Sequence, residues 1–508
     1  MLVLAAAGAA AWQLVPDGGD QGRTISVGTT DAVTSLDPAG AYDAGSWALF
    51  SNVFQSLLTF GPGATVPEPD AAESCDFAGT DLRVYRCELR EGLTFPDGRE
   101  MTAEDVKFSL DRLRKIDSPV GPASLFTTLK SVEARDRTVT FRLSSPDATL
   151  PYKLATGAGA IVDRTAYPAD ALRTEPGADG TGPYLLASYT KGESAVLRPN
   201  TDYRGAVGGS GRPVELRYYA DSAALDRAYQ ERKIQVATRQ LPPDTLAGLS
   251  PSDPDQRVTE ADSSETRNLY LNTRDDAPLS DARVRQAVAW LVDRDRLAAD
   301  VYQGTVDPLY SLIPAGITGH TTAFFDRYPD QDPERARRLL TEAGVALPVR
   351  FTLAYAEGRG AAEAEAAELK RQLEADDGLF DVTVKGYEWT DFQKRWAAGE
   401  LDAYAVGWVA DYPDPDTFGA PLIGTGSTMN TGYSNETVDR LIEQGQRYAD
   451  RGAADDDFRA IQDVVARDVP VIPLWQRKEY VVADEAVAGG QDLTDGTGVF
   501  RLWRLDWI

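Results

Sequence analysis

The sequence predicts an α/β protein of two to four domain-sized units. Three observations lead there. The chain has 508 residues, more than a single hydrophobic core ordinarily serves. Hydrophobic residues make up 42% of it, enough to fill large cores and too many for long disorder. Residues 347–408 read strand, helix, strand, helix, strand, the alternation that builds a parallel sheet covered by helices.

Along the chain, TISVGTT from residue 24 reads as a first strand. In the stretch SLDPAGAYDAGSWALFSNVFQSLLTF, Val53, Leu57 and Leu58 fall at helical spacing and predict that it ends as an amphipathic helix. Residues 81–96 predict a hairpin region, and PDG at 96–98 a turn. Thr102 with Asp105 three residues on predicts a capped helix over MTAEDVKFSLDRL, whose apolar stripe is Val106, Leu110 and Leu113. TVTFRL at 138–143 is strand-like, and LLASY and SAVLRP are the arms of a hairpin. Ser280 is the expected cap of DARVRQAVAWLVDRDRL, with Val284, Val288 and Leu291 on one face. Asp332 and Pro333 open the helix ERARRLLTEA and Gly344 closes it. Strand LPVRFTLAY, a helix over 361–374, strand DVTVKGYEW, helix DFQKRWAAG and strand LDAYAVGW follow.

Charge and composition remove several classes of function. Lys+Arg total 52 and Asp+Glu 79, a formal net charge of −27, which opposes docking on nucleic acid or an anionic membrane face. The single histidine, His320, sits in the loop-like AGITGHTTA; one imidazole excludes a multi-histidine metal site and limits triad chemistry. Cys75 and Cys87 bracket CDFAGTDLRVYRC without a CxxC partner, so zinc fits poorly. A disulfide clamping a local hairpin in an oxidising compartment is the better reading, with two free buried thiols as the alternative. Closing so short a loop adds roughly 3 kcal/mol in the chain-entropy model. The N-terminal MLVLAAAGAAAWQLV is apolar and gives way to the polar PDGGDQG. It reads as the core of a signal peptide or the end of a membrane anchor, shorter than the ~20 residues of a spanning helix. No basic residue precedes Arg23 and no lipobox cysteine follows the run, so export without a lipoprotein anchor is the expectation.

The chemistry-bearing stretch is GWVADYPDPDTFGAP, residues 407–421, which ends a buried strand in proline-rich turns holding Asp411, Asp414 and Asp416. Ligands of an open α/β sheet bind beyond the carboxyl ends of its strands. A second such end, after RFTLAY, carries Arg359 between glycines at a helix start that favours an anion. One acidic and one basic locus on one rim fit a zwitterion such as an amino acid or peptide. A metal site of the DxDxDG kind needs a turn glycine and a closing glutamate that YPDPDTF lacks. A glycosidase needs two facing carboxylates, and nothing selects Asp411 with Glu388 as such a pair. Asp411 is therefore read as the partner of a ligand amine, and Asp414 and Asp416 as turn and cap residues.

The segment CELREGLTFPDGREMTAEDVKFSLDRL resembles the signature segment of family 5 extracellular solute-binding proteins, the peptide-, dipeptide- and nickel-binding components of ABC importers. TSLDPAGAYDAGSWALFSNVFQSLL, GTGPYLLASY, NLYLNTRDDAPLSDARVRQAVAWLVDRDRL, GWVADYPDPDTF and DVPVIPLWQRKEYVV follow the family's order, so the resemblance covers nearly the whole chain after the leader. It implies a two-lobed periplasmic-binding-protein clamshell of the large type II class. Residues 1–23 would be leader and linker, lobe I would take 24–265 and 481–508 with a subdomain inserted at about 46–180, and lobe II 266–480. It also implies a monomeric binding protein without catalysis or cofactor. Such a protein captures oligopeptides or dipeptides outside the membrane and delivers them to an ABC permease with its ATPase.

Carried over residue by residue, Asp411 would bind the ligand's α-amino group. The backbone of Gly407, Trp408, Val409 and Ala410 would pair with an extended ligand, and Thr30, Asp31 and Val33 would do so from the other lobe. Arg359 lies in the turn where dipeptide-binding relatives hold the ligand carboxylate, although the local sequence differs. Trp408 and Tyr412 would wall the pocket, with core packing the alternative for Trp408. Nickel-type binding leans on histidine near the cleft, and this chain offers only His320. A non-peptide solute (oligosaccharide or metal chelate) is the alternative ligand. A carboxylate-based hydrolase, or a sensor or cell-wall role without transport, are the alternative functions.

Overall fold

The computed structural model describes residues 22–207, 211–250, 252–376, 378–494 and 499–508. The apolar N-terminal run lies outside the described residues. Among them, eleven strands form one large sheet. From one edge it runs Phe380–Tyr387, Val349–Ala356, Ala403–Trp408, Gln256–Leu271, Val471–Asp484, Val236–Thr238, Ile25–Thr29, Val214–Tyr218, Ser194–Pro199 and Tyr184–Thr190, with Val306–Pro308 also on Val471–Asp484. Val349–Ala356 is parallel to both neighbours, as the alternating run predicts, and its crossovers are the helices Ala362–Leu373 and Trp389–Ala398.

Two large apolar cores lie on this sheet, besides a small cluster around Leu225, Ile234 and Leu241. One draws on residues from 25 to 236 and from 481 to 505, together with Tyr412. The other draws on residues from 269 to 475. Each fully buried Leu, Ile or Phe supplies about 1.5–3 kcal/mol, so each half is stabilised by itself. The fold is therefore a two-lobed α/β clamshell. The strands Gln256–Leu271 and Val471–Asp484 pair antiparallel across the boundary, and their ladder is interrupted between Asp262 and Thr266. The first lobe carries a further four-stranded sheet, Ala72–Phe77, Val84–Leu89, Thr138–Leu143 and Leu129–Arg135. Cys75 and Cys87 face each other in its first pair and are disulfide-bonded.

Local signals account for many elements. Thr102 and Asp105 form the reciprocal capping box of Ala103–Ile116. Asp332 caps Pro333–Ala343, and Gly344 ends it at φ +69°, a left-handed conformation that glycine adopts without strain. Two expectations fail. The helix Ala44–Val53 stops before Leu57 and Leu58, which are buried in a bend and in the strand Leu58–Thr59. The carbonyls of Ser56 and Leu57 are taken by the amides of Ala71, Asp70 and Ala72, so their helical spacing reported burial and not backbone. The helix Ala282–Ala289 is capped by Asp281, not Ser280, and ends before Leu291, which is buried in the turn that follows. Ser280 is held in a turn, its amide donating to Ala277 and its carbonyl accepting from Arg285. Among the described residues no helix is long and apolar enough to cross a membrane.

Candidate functional site

The strand Ala403–Trp408 builds the site. On one side it pairs with Gln256–Leu271 along its whole length, from Ala403 opposite Leu271 to Trp408 opposite Thr266. On the other side it pairs with Val349–Ala356 only through Ala403 and Tyr404. Residues 405–408 thus present a ladder edge with no strand on it among the described residues, and 406–411 border a cavity without a break. Side chains of a strand alternate between faces, so an uninterrupted run of this kind borders the cavity with its backbone. At Gly407 a Cβ would stand 2.8 Å from Oε1 of Glu265, so glycine there leaves room for that carboxylate.

The cavity, of about 150 Å³, is lined by both lobes. Asp411 stands at the end of the strand and is 7% exposed. The Tyr42 hydroxyl, 369 residues away, donates to its Oδ2 at 2.6 Å, and its own amide donates to Thr417 Oγ1 at 3.1 Å. Burial pushes the Asp411 carboxyl up to about 7, with Asp416 adding to the rise and Tyr42 and Thr417 opposing it. No cationic side chain pairs with it among the described residues. Tyr42 is held by stacking on Trp47, with centroids 5.1 Å apart, and by an edge contact to Trp408 at 5.6 Å.

Arg359 borders the same cavity from the turn after Val349–Ala356. Its guanidinium lies over the Trp389 ring, 4.3 Å from the centroid, and donates through Nη1 to Asp31 at 3.3 Å. Burial lowers its pKa, against the pull of Asp31 and Asp43. The pair joins the lobes at the head of a chain of charges. Asp31 lies 2.8 Å from Arg239 Nε, Arg239 Nη2 3.0 Å from Glu265, and Arg477 3.4 Å from Glu265. Although burial raises the Glu265 pKa, Arg477, Arg239 and Arg267 bring it below the ordinary carboxylate value.

The residues singled out from sequence fall into two groups. Gly407, Trp408, Val409, Ala410, Asp411, Arg359 and Asp31 border one cavity. Trp408 does so while also packing in the core of the second lobe, and its indole N–H has no hydrogen-bond partner among the described residues. Thr30, Val33 and Tyr412 do not border it. Thr30 turns its amide and hydroxyl to the Arg239 carbonyl, and Val33 is buried in the core of the first lobe. Tyr412 is fully buried, donates to Asp416 at 3.0 Å and packs on Tyr152. Asp414 caps the 3₁₀ turn Pro415–Phe418 and pairs with Arg451 at 2.7 Å. Glu388 caps the helix Trp389–Ala398, and His320 bonds the Ile313 carbonyl away from the cavity. Tyr42, Arg239 and Glu265 were not singled out; no spacing rule links them to residues 31, 359 or 411.

Comparison with known proteins gives the family. The family model described as bacterial extracellular solute-binding proteins, family 5 Middle, matches residues 66–430. Di/tripeptide-binding protein 2 of Pseudomonas aeruginosa is 28% identical over 514 residues, covering 93% of this chain and 92% of that protein. The Helicobacter pylori periplasmic binding protein DppA in complex with the peptide STSA superposes with a TM-score of 0.85 at 23% identity, covering 96% and 98% of the two chains. The Escherichia coli murein tripeptide binding protein MppA superposes at 0.84, with 22% identity and 96% and 99% covered. An unliganded open form of MppA superposes at 0.64, with 21% identity and 96% and 98% covered. This chain belongs to the bacterial extracellular solute-binding proteins, family 5.

Proposed function

We propose that this protein captures short peptides, di- and tripeptides first, in the cavity between its lobes outside the cytoplasmic membrane and hands them to an ABC permease. The names of its relatives support the ligand class. The observation that carries the reading in this chain is the Asp411 carboxylate, buried beside a cavity with a tyrosine hydroxyl but, among the described residues, no cation to match it. A ligand ammonium would complete it. Arg359, with one weak bond to Asp31, would take the ligand carboxylate, and the edge at 405–408 would take its peptide groups. Backbone pairing reads no side chains, which suits a mixture of peptides. We divide the lobes at 24–265 with 481–508 and at 266–480, a division supported by the two separate cores. The reading is of capture without turnover, by a monomer exported through its N-terminal apolar segment.

Calorimetric titration with a dipeptide, its N-acetyl derivative and its C-terminal amide tests it. Acetylation is expected to abolish binding and amidation to weaken it. Equal affinity for all three would overturn the peptide reading.

A further inference from the structure

The loop that carries Asp411 also reaches into the other lobe. Tyr412 belongs to the first core, its ring 5.8 Å from that of Tyr152, whereas Phe418 belongs to the second. Asp416 follows Tyr412 across. Its Oδ2 lies 3.3 Å from the Thr149 hydroxyl oxygen and 3.8 Å from the Lys153 ammonium. The Ala148 amide donates to the Gln446 carbonyl at 2.7 Å beside them. Asp147, Lys153 and Asp416 are all at most 4% exposed.

Each half of this contact is complete on its own side. Lys153 is held at 3.0 Å by Asp147, which also accepts from the hydroxyls of Thr149 and Thr128. Asp416 accepts from Gln446 at 3.1 Å on its own side, and from the hydroxyl of Tyr412, which docks with it, at 3.0 Å. Separating the two sides therefore leaves Lys153 paired and Asp416 hydrogen-bonded. It avoids the large cost of stranding a buried charge, which makes the contact reversible. Burial lowers the Lys153 pKa, but Asp147 and Asp416 raise it above the ordinary lysine value, so the ammonium stays charged. Burial raises the Asp416 carboxyl, against the pull of Lys153.

We propose that Lys153 and Thr149 form a receiving site for the Asp416 carboxylate, an interlobe latch that holds the closed form without ligand and positions Asp411 at the cavity. Glu265 and Lys478, in the two crossing strands, border the cavity where the lobes are joined. The latch lies in the loop that leads away from Asp411. Docking of Tyr412 and Asp416 fixes where the preceding carboxylate stands. A latch of this kind acts on rates. It slows opening, so it lengthens ligand residence, and it also slows admission of a ligand to the closed form.

Asp416→Asn and Lys153→Met, each checked for folding by circular dichroism, test the proposal. Asparagine keeps the size of Asp416 and an acceptor for Tyr412, so it isolates the charge even where Lys153→Met fails to fold. Small-angle scattering of the ligand-free protein is expected to show a larger radius of gyration in both variants. Stopped-flow dissociation of a bound dipeptide is expected to quicken about tenfold, the change that 1.4 kcal/mol of lost closed-state preference produces. Asp411→Asn, which removes a ligand contact and not the latch, leaves the ligand-free scattering unchanged. Unchanged scattering of ligand-free Asp416→Asn would overturn the latch. That measurement needs no ligand, so it is independent of whether the peptide reading holds.

Discussion

Replacing Asp411 by asparagine removes one charge from the cavity while keeping its shape and an acceptor for the Tyr42 hydroxyl. A hydrogen bond to a charged group contributes about 1.5–3 kcal/mol. At 1.4 kcal/mol per decade the variant loses roughly ten- to hundredfold in affinity for a dipeptide at pH 7.5. The raised carboxyl adds a signature that a loss of fit would not produce. With its pKa near 7, ligand-free Asp411 is mostly protonated at pH 5, and an incoming ammonium must displace that proton. Wild-type affinity therefore falls by about tenfold per pH unit below 7, the 1.36 kcal/mol per unit of proton linkage. The asparagine variant, with no proton to release, stays flat over the same range. Stability moves in the opposite sense. The unfolded carboxyl loses its proton near 3.8, whereas the folded one keeps it to about 7, so the folded state binds more protons in between. Ligand-free wild type thus loses stability as the pH rises through that window, and Asp411→Asn does not. Its ligand-free melting temperature is expected to exceed that of wild type at pH 8 and to converge with it near pH 4. Isothermal titration at pH 5.5 and 7.5, with thermal melts at pH 4 and 8, reads both effects. Equal affinity at pH 7.5, or parallel pH profiles, would refute the reasoning.

Two further predictions concern other parts of the molecule. Arg359→Gln is expected to weaken a dipeptide with a free carboxylate by roughly tenfold or more and its C-terminal amide hardly at all, as paired titrations would show. Removing the disulfide with Cys75→Ser and Cys87→Ser is expected to lower stability to urea by roughly 3 kcal/mol while leaving peptide affinity unchanged, because the pair sits in the four-stranded sheet outside the cavity.

What could be read from the sequence was what depends on near neighbours. The capping box of Thr102 and Asp105, the alternation at 347–408 and the position of Asp411 at the end of a strand are all written within a few residues of one another. Helical spacing at Leu57 and Leu58 misled, because it records which side chains are buried and the backbone there had partners elsewhere. The two carboxylates Asp31 and Asp411 show the limit. Asp411 is left without a cation and Asp31 has two, and the difference comes from Arg239 and Arg359, which lie 208 and 328 positions from Asp31 along the chain. Tyr412 shows it again. It stands beside Asp411 in sequence, but its ring is claimed by Tyr152 in the other lobe. Contacts between lobes join segments whose spacing carries no periodic signal, so the most functional ones were the least legible.

The paired crossing of Gln256–Leu271 and Val471–Asp484 has a mechanical consequence. A single tether would let one lobe swing and twist freely, whereas two hydrogen-bonded ribbons side by side resist twisting and yield most easily where their ladder is broken near Glu265. The relative placement of the lobes then reduces to little more than one angle. Ligand and latch then act on the same coordinate, and any macromolecule that grips both lobes at once reads that one angle without touching the cargo.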